Sequence, residues 1–86
     1  MNINELIAIV KNKLETEIVI QDLKIEDKSF LHKNHVGNDK NKFHIKLIIK
    51  SNELKKMSRI EGNKKIYKIL SEEVEKSIHS LQILID

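Results

Sequence analysis

The spacing of the apolar residues changes period repeatedly along this chain, and a pattern of that kind suits neither an all-helical nor an all-β fold. Ile3, Leu6, Ile7, Val10 and Leu14 recur in steps of three and four, which places a helix over residues 3–14. Asn2 or Asn4 can cap its start, and Glu5 suits the positive end of its dipole. Leu23 and Ile25 then alternate with Lys24 and Glu26, the spacing of a half-buried strand over residues 21–26. From Asp27 to Lys42 the chain is polar and irregular, with Gly37, Asn38 and Asp39 as turn chemistry. So long a loop in so small a domain is usually functional or disordered. Alternation resumes over residues 44–50, with Ile45, Leu47 and Ile49 on a buried face and His44 on the opposite, solvated one.

Ser58 and Glu61 form a capping-box pair, and Ile60, Asn63, Ile66, Tyr67, Leu70 and Val74 share a helical face, so a second helix is expected over residues 59–76. Gly62 costs about 1 kcal/mol there relative to alanine, which predicts an irregular or frayed turn. Residues from Ile78 to Ile85 read as a last strand. The order is helix, strand, strand, helix, strand: an α/β (α+β) domain, residues 1–86, with a three-stranded mixed sheet covered by helices on one face. Strands one and two would be antiparallel, and strands two and three joined by a right-handed parallel crossover.

Composition removes several function classes. The chain has 86 residues, enough for one core and not two. It has no cysteine, which excludes disulfides, thiolate zinc sites, a thiol nucleophile and a self-contained iron-sulfur centre, and leaves both reducing and oxidising compartments open. Two glycines cannot build a Walker loop or a G-x-G-x-x-G turn. No apolar run approaches the length of a membrane span or signal core. The first helix has no arginine and carries Glu5, unlike a mitochondrial presequence. The expected location is the cytoplasm, with an organelle matrix also compatible. Net charge is +3, and of sixteen cations only Arg59 is an arginine, so any nucleic-acid contact would fall mainly on the backbone without reading sequence.

The candidate chemistry lies in four histidines, His32, His35, His44 and His79. His32 and His35 have a chelating spacing, yet two ligands do not complete a zinc site. His79 stands where the second helix gives way to the last strand, where a histidine commonly packs or caps the helix end. No serine sits in a nucleophile elbow, and Glu72 with Glu73 read as solvated surface, so no enzyme is expected.

Several elements, taken in order, resemble the BolA family: Asp27 and Ser29, then His32 and His35, then the strand from His44 to Ser51, then His79 with Leu81. The similarity covers about residues 3–85 and runs from His44 to Leu81 without a gap. It implies a fold like class II KH domains and partnership with a monothiol glutaredoxin. In that complex a 2Fe-2S cluster is shared, the glutaredoxin cysteine and glutathione giving the thiolates. Carried over by position, His79 is one ligand of this chain and His32 the other, with His35 a substitute for His32; the isolated chain would bind no cluster. The alternative the resemblance offers is a DNA-binding transcriptional regulator, for which Arg59, Lys64, Lys65 and Lys68 are the candidate contacts. There are departures. Gly62-Asn63-Lys64 stands where the family has Arg-His-Arg, which weakens the DNA reading, and Ile45 replaces a phenylalanine and Ser80 an alanine. A homodimer of the free chain is compatible with all of this.

Overall fold

The computed structural model describes residues 1–29 and 42–86. Seven elements follow in order: α1 (Ile3–Glu17), β1 (Asp22–Asp27), β2 (Phe43–Lys50), α2 (Asn52–Lys55), α3 (Arg59–Ile69), α4 (Ser71–Lys76) and β3 (Ile78–Ile85). The sheet order is β1-β2-β3, with β1 antiparallel and β3 parallel to β2. The expected α+β class and mixed sheet are present.

Register explains the core. Leu23 and Ile25 stand opposite Ile49 and Leu47, while Leu81, Ile83 and Ile85 pair with Ile45, Leu47 and Ile49. These residues share one face because side chains alternate along a strand. Against that face pack Leu6, Val10 and Leu14 of α1, Leu54 of α2 and Ile66 of α3, with Leu70. Burial of these aliphatic groups supplies the main driving force. The opposite face carries Lys24, Glu26, Lys46, Ile48, Gln82 and Leu84.

The helices differ from the sequence reading in several places. α1 gains a turn beyond Leu14 and stops where Ile18 turns extended and buries its side chain, its N–H still bonding Leu14 O. Its cap is Asn2, whose side chain accepts from the Glu5 N–H. Helix α2 was not expected. It is one turn long and capped by Ser51, with no acidic third residue to flag it. The helix expected over residues 59–76 is two, because the backbone leaves helical values at Leu70 (φ −97°, ψ 18°) as that side chain enters the core. No glycine or proline marks the break.

The buried face of α3 is also rotated: Gly62, Ile66 and Leu70 point inward, and Ile60 and Tyr67 are 67% and 41% exposed. Gly62 is neither frayed nor irregular. Its N–H bonds Ser58 O at 2.9 Å, and a Cβ built on it would lie 2.9 Å from Ile85 Cδ1. The missing side chain lets β3 approach α3. Tyr67 Oη donates to Leu81 O at 3.2 Å, occupying an acceptor of strand β3, an edge strand of the sheet.

Candidate functional site

At the start of β3 the parallel ladder slips. Phe43 pairs with Ile78, but His44 pairs with Ser80, so His79 is an extra step against β2. An irregularity of this type re-aims side chains, and such features concentrate beside functional sites. His79 is exposed, on the far side of Ile78, which is buried in the core. Its ring lies 4.9 Å, centroid to centroid, from that of His44, tilted by 45°.

His44 departs from expectation. Alternation placed it correctly on the face away from Ile45, yet it is only 3% exposed. Its Nδ1 lies 2.6 Å from Ser80 Oγ, its N–H donates to Ser29 Oγ at 3.1 Å, and its carbonyl accepts from the Lys28 N–H at 2.7 Å. The Ser29 N–H in turn donates to Asp27 Oδ1 at 2.9 Å, which ties the Asp-x-Ser element to the end of the sheet. The segment carrying His32 and His35 therefore leaves from a stem anchored on His44 and re-enters beside Phe43, whose N–H donates to Ser77 O. His32 and His35 themselves lie outside the described residues. Among the described residues no three His, Cys, Asp or Glu side chains come together as a metal-holding set.

The lysines of the alternative reading stand elsewhere. Lys64, Lys65 and Lys68 line an open groove of about 820 Å³ between α1 and α3, with Lys13, Asn12 and Thr16 on the facing helix. Arg59 is exposed at the start of α3 but is not part of that lining. Two of the cations are engaged. Lys65 Nζ bonds Glu53 Oε2 at 2.9 Å, and that contact, followed by the Val19 N–H, holds the Glu53 carboxyl below the ordinary carboxylate range. Lys13 Nζ lies 2.6 Å from Glu73 Oε2 and 3.7 Å from Glu72, and its pKa is raised, chiefly by the Glu73 hydrogen bond. Glu73 is thus not the solvated surface residue expected. It is 6% exposed, and its Oε1 finds no hydrogen-bond partner.

The sequence reading missed the roles of His44, Ser80 and Glu73. For His44 the face was legible and the burial was not, because its neighbours, Ser80 and His79 of β3 and Ser29 of the stem among them, come from other parts of the chain. Glu73 did carry a signal: it stands seven residues beyond Ile66 and three beyond Leu70, on the helical face that turns inward.

The family model described as BolA-like protein matches residues 14–85. A Haemophilus influenzae protein named DNA-binding transcriptional regulator BolA is 32% identical over 75 residues, covering 87% of this chain and 70% of that protein. Protein BOLA1, chloroplastic, from Arabidopsis thaliana is 30% identical over 80 residues, and the match spans 49% of its length. Among solved structures, the BolA domain of SufE1 from Arabidopsis thaliana matches with a TM-score of 0.79 at 27% identity, over 100% of this chain and 93% of that one. The mouse BolA1 solution structure shares the fold with a TM-score of 0.72 at 23% identity, over 90% of this chain and 60% of that one.

Proposed function

The chain belongs to the BolA family, and on that premise we propose that it is a non-enzymatic adaptor that pairs with a monothiol glutaredoxin and lends histidine ligands to a shared 2Fe-2S cluster. The supporting observation is His79: an exposed imidazole on an irregular step of β3, at the end of the sheet where the segment holding His32 and His35 departs. The donor chemistry fits. With no cysteine in the chain, it can offer imidazole nitrogen and not thiolate sulfur. Imidazole can replace thiolate on one iron of such a cluster, so the sulfur ligands come from the glutaredoxin cysteine and glutathione. When bound, the cluster supplies an iron able to accept those nitrogens. The ligands assigned are His79 and His32, with His35 as the substitute for His32. An exposed His79 can be reached by a second protein without unfolding this one.

Anaerobic reconstitution with a monothiol glutaredoxin and glutathione, followed by visible absorption and circular dichroism, tests the reading. The expected result is a one-to-one heterodimer whose spectrum differs from that of the glutaredoxin alone and is lost in His79→Ala. A spectrum unchanged from the glutaredoxin homodimer would refute it.

The second reading is a DNA-binding regulator, favoured by the name of the Haemophilus relative and by the exposed Arg59, Lys64 and Lys68 on α3. Against it stand the ion pairs of Lys65 and Lys13 and the acidic Glu17 in the same groove. It requires affinity that falls steeply with salt, is removed by Lys64→Glu with Lys68→Glu, and is untouched by His79→Ala.

A further inference from the structure

A residue at an irregular step lacks the pairing that fixes its neighbours, so the aim of its side chain depends on what it packs against. For His79 that neighbour is the His44 ring, 4.9 Å away. His44 is held on three sides. Its backbone is bonded to Lys28 and Ser29, and its Nδ1 is 2.6 Å from Ser80 Oγ. It therefore links the strand that carries His79 to the stem from which the loop histidines depart. The hydroxyl that locks its ring comes from Ser80, at a position where the family pattern noted above has alanine. An alanine there could make no such bond. Whichever of the two groups holds the shared proton, the short contact fixes the ring rotamer.

We infer that His44, locked by Ser80, is a positioning residue of the cluster site: it orients the His79 imidazole and sets its spacing from the loop stem without being a ligand. The inference rests on the adaptor reading. Partners that orient metal-bound histidines contribute substantially to binding even though they never touch the metal.

Ser80→Ala removes the lock with little disturbance of packing, and Ser80→Thr keeps the hydroxyl. In the reconstituted heterodimer, Ser80→Ala should retain the cluster, change its visible circular dichroism and release it about tenfold faster to a chelator, the low end of what ligand-orienting partners contribute. Ser80→Thr should restore both properties. In the free chain, long-range proton–nitrogen NMR of the imidazoles should show the His44 and His79 rings shifted by Ser80→Ala and returned by Ser80→Thr. Wild-type circular dichroism, release rate and ring resonances in Ser80→Ala would overturn the inference while leaving the adaptor reading intact. Loss of the cluster in His44→Asn that Ser80→Ala does not weaken at all would make His44 a ligand, which also overturns it. If the wild-type chain forms no heterodimer cluster, the adaptor reading fails and the inference, which rests on it, fails with it. The free-chain resonances tell that failure apart, because a lock that holds the rings persists there.

Discussion

Ser51→Ala should destabilise the domain by about 1.5–2 kcal/mol, a sum that can be worked from two bonds made by one hydroxyl. Ser51 is fully buried at the junction of β2 and α2. Its Oγ accepts from the Leu54 N–H at 3.2 Å, and the same hydroxyl donates to Val19 O at 2.8 Å. Losing a serine cap typically costs about 1 kcal/mol. The Val19 bond adds only about 0.5–1 kcal/mol, at the low end of the usual range because Val19 is 66% exposed and water can replace the donor. In a domain of this size the sum corresponds to a fall in Tm of roughly 6–16 °C. Urea unfolding at fixed m value measures the change, and amide exchange at Leu54 reports it locally. A loss under about 0.5 kcal/mol, or an unchanged exchange rate at Leu54, would refute the double role of this hydroxyl.

Three further outcomes follow from the packing. Because the folded-state pKa of Glu53 is depressed, its contribution is complete above the ordinary carboxylate range and is lost as pH falls through the lower folded value; Glu53→Gln should flatten the acid limb of a stability-against-pH curve. Gly62→Ala gains about 1 kcal/mol of helix propensity but displaces the Ile85 terminal methyl. Alone it should be nearly neutral by thermal unfolding, whereas on an Ile85→Val background it should stabilise by about 1 kcal/mol. Lys13→Met should destabilise more than Lys13→Met with Glu73→Leu, since the single change strands a buried carboxylate and the double change removes it. Equal unfolding midpoints for the two variants would contradict that pairing.

The helical step of Leu6, Val10 and Leu14 and the alternation of Ile45, Leu47 and Ile49 were enough to place α1, the strands and the inward face of the sheet. Periodicity is a local property, and the burial of an amphipathic face follows from it. The order of Asp27, Ser29, the histidines and Ser51 likewise carried the family. What local spacing could not carry were the contacts made between elements far apart in sequence. The break at Leu70 answers to a core built by other elements, and the partner of Glu73 is Lys13 of α1, sixty residues away in the chain. His44 was read as solvated because its own strand leaves that face open. Only the slipped pairing with β3 sets Ser80 against its ring and His79 beside it, since a register shift belongs to two strands at once and neither sequence records it alone.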